Sequence, residues 1–231
     1  MKSNGWLFLS GGGNEVKTAE IDSVFLSRLE EKKILYIPIA KNVDQNGYKK
    51  SATWLANKLN NQSAEFVEIV LFTNLKNAVN LGEFSAIYIA GGNTYKLLHK
   101  IKKYDFLQKI IKYVHEGGVV YGASAGAVLM GVDISTYIEN KYLEENKKNN
   151  YLSTAGMNLV GEYSILTHFK EEDKDKIGDY FCRNNNPVLA IPEGVAVIIK
   201  NGFAEVIGGD ILIFQKGQRE RFVRAGADFM I

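Results

Sequence analysis

Short apolar runs alternate with longer amphipathic segments along this chain. The apolar runs predict strands at residues 6–10, 34–40, 66–71 and 84–90, and a fifth strand that begins at Val119. The amphipathic segments predict helices at residues 18–31, 48–60 and 104–116, and another from Asn93 or Thr94 through Leu98. In the first helix Ile21, Phe25 and Leu29 fall on one face. Strands that alternate with helices predict a parallel sheet covered on both faces.

Three glycine-marked turns follow predicted strands, at Gly11 to Gly13, at Gly91-Gly92 and around Ser124. Ligand and catalytic sites in parallel α/β sheets collect beyond the carboxyl ends of the strands. These turns are therefore the first places to look for chemistry.

The segment Gly122-Ala-Ser-Ala-Gly126 is typical of a nucleophile elbow. Its small residues leave space for a tight strand-to-helix turn, which places Ser124 at a helix N-terminus. There the backbone N–H groups and the helix dipole favour a developing oxyanion. A glycine-lined turn with an inert serine is the competing interpretation.

An acyl-transfer site needs two N–H donors for the substrate oxygen. Ala125, the residue after the serine, is one candidate donor, and Gly92 on the neighbouring strand-end turn is the other. Without the elbow, Gly91-Gly92 would be interpreted as a tight turn into a helix and nothing more.

The candidate base is His168, which follows the strand-like run at residues 163–167. His99 and His115 lie within or near the ends of predicted helices, where a structural role is simpler. The carboxylate that would orient the imidazole is Glu193, in a turn after the strand-like run 188–191. Other carboxylates remain open: Asp133, Glu139, Glu162, Glu171, Glu172 and Asp173.

The C-terminal part contains three further strand-like runs, at residues 195–199, 203–206 and 211–214. They are separated by Asn201-Gly202 and by Gly208-Gly-Asp210, and Asn-Gly is a strong tight-turn signal. We expect β-hairpins here that extend the sheet and hold Glu193 in place.

Composition narrows the functional classes. The 231 residues fit one α/β domain spanning 1–231, and the net charge of +2 gives no electrostatic footprint for nucleic acid. A single cysteine, Cys182, excludes an internal disulfide framework and a cysteine-rich metal site, and we expect it to be buried. No run approaches the roughly 20 apolar residues of a membrane span, and the N-terminal run is too short for a signal peptide. We therefore expect a cytoplasmic protein that does not bind membranes.

The order Ser124, His168, Glu193 differs from the nucleophile, acid, base order of α/β-hydrolases. Four motifs instead resemble the peptidase E (aspartyl dipeptidase) and cyanophycinase family of serine peptidases: Ala90-Gly-Gly-Asn-Thr94, Gly122-Ala-Ser-Ala-Gly-Ala127, Thr167-His168-Phe169 and Pro192-Glu193-Gly194. The similarity spans nearly the whole chain.

This resemblance implies a flavodoxin-like or class I glutamine amidotransferase-like fold, a three-layer α/β sandwich with a mostly parallel sheet. It also implies a triad of Ser124, His168 and Glu193, an oxyanion hole at Gly92 and Ala125, no cofactor or metal, and a homodimer. Small peptides would be the substrates, with Asn93, Thr94 and Lys170 as candidate binding residues.

The sequence departs from the aspartyl dipeptidases after His168. Such enzymes carry an arginine soon after this histidine, whereas here only lysines occur before Arg183. A strict preference for N-terminal Asp is therefore not expected, although Lys170 or Lys174 could replace the arginine. Two other functions remain open: a noncatalytic binder that uses the glycine turns as an anion nest, and an amidotransferase. The second is disfavoured because it needs a cysteine at the elbow.

Overall fold

The computed structural model describes residues 4–136 and 140–231, without the side chains of Asn140 and Lys141. Glu139, one of the alternative carboxylates, lies outside the described residues. The described chain forms an eight-stranded sheet and a separate four-stranded sheet.

The large sheet has the strand order β12-β9-β8-β1-β5-β4-β2-β3. Its strands are β1 (Trp6–Ser10), β2 (Lys33–Ile37), β3 (Glu68–Leu71), β4 (Ala86–Ile89), β5 (Val119–Ala123), β8 (Ala196–Lys200), β9 (Phe203–Ile207) and β12 (Asp228–Met230). The first five are parallel, and β8, β9 and β12 add to the edge at β1 in antiparallel pairs. The carboxyl ends of β1, β4 and β5 therefore meet at one edge.

Helices cover both faces of this sheet. Helices α1 (Glu15–Ser27) and α2 (Gln45–Asn60) lie on one face, and α3 (Thr94–Lys103) and α4 (Phe106–His115) lie on the other. The other described helices are α5 (Ala125–Val128), α6 (Asn140–Lys148) and α7 (Lys174–Phe181), of which α7 packs against the small sheet. Alternate residues of β1 point to opposite sides, as a strand requires. Phe8 joins an apolar cluster with Phe25 of α1, whereas Leu7 joins another with Ile110 of α4. This arrangement confirms the predicted three-layer fold.

The small sheet has the order β11-β10-β7-β6, with β6 (Ser164–Thr167), β7 (Val188–Ile191), β10 (Ile211–Phe214) and β11 (Arg221–Val223). Strands β6 and β7 are parallel, and they pack with Ile177 and Tyr180 of α7 around a third apolar cluster. His168 follows β6 and Glu193 follows the parallel strand β7, so both residues lie at the same edge of this sheet.

The structure differs from the sequence-based expectations at three places. Strands β8 and β9 form the predicted hairpin, but residues 208–210 carry the chain to the small sheet, where β10 pairs with β7 and β11. Cys182, expected to be buried, is exposed; it lies at the C-cap of α7 and is not part of the third apolar cluster. The charged stretch around Lys147 and Lys148 is typical of a solvated loop in the sequence, but in the structure both lysines belong to the last turn of helix α6, where they are exposed.

Within residues 4–136 and 140–231, the structure contains no helix that combines the length and the apolar composition needed to cross a membrane.

Candidate active site

Ser124 lies in a tight turn between β5 and α5. Its backbone has φ +52° and ψ −113°, a conformation that most residues avoid, and its N–H donates to the Ser10 carbonyl at 3.0 Å. The turn depends on glycine, because a Cβ at Gly122 would lie 2.5 Å from the Gly126 carbonyl carbon. The elbow geometry predicted from the sequence is present in the structure.

His168 reaches Ser124 from the small sheet. Its Nε2 lies 2.8 Å from the Ser124 Oγ. The His168 backbone also has a positive φ, +55°, and its N–H donates to the Gly11 carbonyl at 3.1 Å. The backbone of the first glycine turn thus holds the His168 backbone in place.

Glu193 lies in the loop between β7 and β8, with its Oε1 at 3.0 Å from the His168 Nδ1. An ionised carboxylate can only accept hydrogen bonds, so Nδ1 carries the proton. Nε2 is then left to accept from the serine hydroxyl. The three sequence-predicted residues therefore form one continuous hydrogen-bonded chain.

Lys17, in the first turn of α1, contacts the other oxygen of Glu193. Its Nζ lies 2.8 Å from Oε2. The Lys17 and His168 hydrogen bonds, in that order, hold the pKa of the Glu193 carboxyl below its ordinary value of 4.5. Sequence reasoning missed Lys17, because one lysine on an amphipathic helix carries no signal of its partner.

The first glycine turn connects the parts of this site. The Ser10, Gly11 and Gly12 carbonyls accept from the N–H groups of Ser124, His168 and Gly194, respectively. A Cβ at Gly12 would lie 2.5 Å from the His168 Cε1, so only glycine leaves room for the imidazole.

The N–H groups in this turn are largely used internally. Gly11 donates to the Val195 carbonyl at 2.9 Å and Gly12 to the Ser10 Oγ at 3.2 Å. An anion nest needs such groups to point at a ligand. The turn is therefore better explained as a support for the His168 side chain.

Gly92 and Ala125 have backbone N–H groups without an acceptor among the described residues. Gly92 has φ +140°, and a Cβ there would lie 2.5 Å from the Ala40 carbonyl oxygen. The adjoining Gly91 is next to the serine, since its hypothetical Cβ would lie 3.0 Å from the Ser124 Cβ. The two unused N–H groups thus belong to residues adjacent in sequence to Gly91 and Ser124, which lie next to each other.

Comparison with known proteins shows the family. The model of Peptidase family S51 matches residues 6–207. The chain belongs to this family. It is therefore a serine-type peptidase, which disfavours a purely noncatalytic role.

Relatives and a solved structure show the same likeness over most of the chain. A peptidase E of Actinobacillus pleuropneumoniae serotype 5b is 26% identical over 197 residues, covering 83% of this chain and 82% of the relative. An uncharacterised peptidase of Listeria innocua is 28% identical over 211 residues, covering 85% and 97%. The crystal structure of a peptidase from an acI-B1 actinobacterium superposes with a TM-score of 0.75 at 20% identity, covering 100% of this chain and 98% of the other, which supports the fold.

In this S51 peptidase a small pocket of about 30 Å³ adjoins Ser124. Its lining comes from the residues after the Gly91-Gly92 turn, the elbow, the end of β6 and helix α6. The lining residues are Asn93, Thr94, Tyr95, Ser124, Ala125, Val128, Tyr142, Asn146, Thr167 and His168. Sequence reasoning missed Tyr142 and Asn146, because α6 is a polar helix that resembles a solvated surface segment.

Asn93, directly after the Gly91-Gly92 turn, connects this turn to helix α6. Its Oδ1 caps α3 by accepting from the Lys96 N–H at 3.2 Å. Its Nδ2 donates to the Glu145 Oε2 at 2.9 Å and to the Asn146 Oδ1 at 2.8 Å. Asn93 is fully buried, so these contacts place α6 over the pocket in a fixed orientation.

The two lysines after His168 point elsewhere. The Lys170 Nζ lies 3.4 Å from the Glu172 Oε1, and the Lys174 Nζ lies 2.7 Å from Glu171 and 3.0 Å from Glu220. Neither lysine lines the pocket at Ser124. Thr94, by contrast, lines it as expected.

Two of the described alternatives, the base candidate His99 and the acid candidate Asp133, have other partners. His99 packs against Tyr151, and the Asp133 carboxylate accepts from the Ser135 backbone N–H at 2.8 Å. A wider cavity, of about 920 Å³, lies at the opposite edge of the large sheet near Trp6 and Gly117, far from these groups.

Proposed function

We propose that this S51 peptidase hydrolyses small peptides, as a dipeptidase does, through an acyl-enzyme on Ser124. His168 is the general base, and the Glu193 carboxylate orients its imidazole. The observation that carries the proposal is the unbroken contact from Glu193 through His168 to Ser124, with distances of 3.0 Å and 2.8 Å.

The reaction begins when His168 Nε2 accepts the hydroxyl proton as Ser124 Oγ attacks the scissile carbonyl. The resulting oxyanion accepts from the N–H groups of Gly92 and Ala125. Loss of one such donor costs about 3 kcal/mol of transition-state stabilisation. His168 then donates its proton to the leaving amine, and water cleaves the ester by the reverse use of the same groups.

The pocket supports short substrates and gives no support for a strict N-terminal Asp preference. A bound carboxylate calls for a guanidinium fork or an ammonium close by. Lys170 and Lys174 are paired with glutamates instead, and neither lines the pocket. The peptidase E names of the relatives therefore do not transfer a substrate to this chain.

A dipeptide library tests the proposal. The wild-type protein should hydrolyse at least one dipeptide, and Ser124→Ala should lower kcat/KM on it by at least about 10³-fold. Ser27→Ala, an exposed serine at the end of α1, is the matched control and should keep full activity. Full hydrolysis by Ser124→Ala would overturn the assignment.

A further inference from the structure

The pocket beside Ser124 contains polar side-chain groups that the proposed mechanism does not use. Asn146 and Thr167 are only 8% and 7% exposed, yet both line the pocket. The Asn146 Nδ2 and the Thr167 Oγ1 have no hydrogen-bond partner in the part of the chain that the structure describes. Buried polar groups are normally paired, so such groups in a pocket indicate a polar ligand.

The orientation of the Asn146 amide is fixed by Asn93. Because Asn93 donates its Nδ2 to the Asn146 Oδ1, the oxygen of Asn146 faces Asn93. Its NH₂ group is therefore left to donate toward the pocket. The Asn93 amide is in turn fixed by Glu145 and the Lys96 N–H.

The described part of the pocket wall offers no charged side chain of the acidic or basic residues. No Lys, Arg, Asp or Glu occurs among its described lining residues. The nearby Glu145 carboxylate is already bound by Asn42 at 2.8 Å and Asn93 at 2.9 Å, with Lys96 at 3.7 Å. The charges of Glu145 and Lys96 therefore offset each other, and neither residue lines the pocket.

Tyr95, another lining residue, responds to two further charges. Burial raises the pKa of the Tyr95 hydroxyl to about 12, Asp133 adds to this increase, and Arg183 opposes it. These two charges oppose each other, and neither residue lines the pocket. A buried anionic substrate group would thus lack a dedicated counterion, which is costly in a desolvated site.

We infer that Asn146 and Thr167 form a specificity subsite for a short, uncharged side chain with an oxygen acceptor on the acyl-donating residue of the substrate. The inference rests on the proposed function of Ser124. Serine, threonine and asparagine belong to this class, and aspartate does not.

Two substrate pairs isolate the two features of this subsite. Ser-Leu and Ala-Leu differ by one hydroxyl, and we expect about fivefold higher kcat/KM for Ser-Leu, the size of one buried hydrogen bond. Asn-Leu and Asp-Leu have the same shape and differ in charge, and we expect at least tenfold higher kcat/KM for Asn-Leu. A preference for Asp-Leu would overturn the inference and point to the charge of Arg183.

Variants assign the effect to residues. Asn146→Leu should reduce the ratio of Ser-Leu to Ala-Leu hydrolysis, measured on the same variant, to about one. Thr167→Val, which keeps the shape of the side chain, should also lower this ratio. Asn149→Leu is the matched control, because this exposed asparagine follows α6 and donates to the Glu145 carbonyl away from the pocket.

The outcomes separate the inference from the proposed function. Unchanged ratios in both Asn146→Leu and Thr167→Val would overturn the subsite while leaving Ser124 as the nucleophile. Ala-Leu hydrolysis that survives in Ser124→Ala would overturn the proposed function and the inference together.

Discussion

At the scale of single residues, the site depends on backbone conformations that most residues avoid. Ser124 and His168 both have positive φ values, +52° and +55°. Such conformations cost on the order of 1–3 kcal/mol each and persist where surrounding contacts fix them. Here the Ser10 and Gly11 carbonyls accept from the N–H groups of Ser124 and His168. The first glycine turn therefore fixes the backbone positions of both residues.

Gly12→Ala tests this role of the glycine turn. The new Cβ would lie 2.5 Å from the His168 Cε1, which forces the imidazole away from Ser124. We expect kcat to fall about 10²-fold, the cost of misplacing a catalytic group by about 1 Å. Gly217→Ala is the control, since it also has a positive φ but meets no atom within 4 Å. Equal kcat in Gly12→Ala and wild type would contradict the account.

Lys17→Met tests the contact that the sequence did not reveal. Lys17 is the first cause of the lowered pKa of Glu193, so its removal should raise that pKa toward 4.5. A folded-state pKa below the unfolded value means that Glu193 stays ionised at neutral pH and loses its charge only as pH falls through the lowered value. Carboxyl-carbon NMR titration measures the shift.

Lys17→Arg should keep most of the effect, whereas Lys112→Met, at an exposed ion pair on α4, should have none. We also expect Lys17→Met to lower kcat several-fold with KM unchanged, because Lys17 positions Glu193 without contacting substrate. An unchanged Glu193 titration would contradict this role.

At the scale of elements, two sheets each supply half of the site. Strands β4 and β5 of the large sheet lead into Gly92 and Ser124, and strands β6 and β7 of the small sheet lead into His168 and Glu193. The large sheet is kept in place by helices whose own contacts include a buried ion pair. Asp22 of α1 and Lys58 of α2 are 2.8 Å apart and almost fully buried.

Lys58→Met should destabilise the fold by about 3–5 kcal/mol, because it leaves the buried Asp22 carboxylate without its counterion. Burial already raises the pKa of Asp22 above 3.8, and the attraction of Lys58 opposes that effect. Urea unfolding measures the change. Lys50→Met, an exposed position on the same helix, should change the free energy of unfolding by less than about 0.5 kcal/mol. A similarly small loss in Lys58→Met would contradict the prediction.

At the scale of the whole molecule, the sequence predicted the sandwich and the family, and the structure and comparisons confirm both. Ser124, His168 and Glu193 could be selected because each directly follows an apolar run, and strand ends meet at a sheet edge. The division into two sheets was not predictable, because an apolar run such as that of β10 does not reveal its partner strand.

The residues missed were those whose roles arise from distant contacts. Lys17 meets Glu193 across 176 positions of sequence, and Asn146 meets Asn93 across 53. No local pattern records such pairs. The expected homodimer likewise stays a prediction, and sedimentation equilibrium would test it.

Reaction with a serine-directed fluorophosphonate, followed by mass spectrometry, identifies the nucleophile in one measurement. We expect a single adduct, located on Ser124, that is absent from Ser124→Ala and forms much more slowly in His168→Ala. Peptide hydrolysis by a protein that forms no adduct, or an adduct on another residue that abolishes hydrolysis, would contradict this assignment.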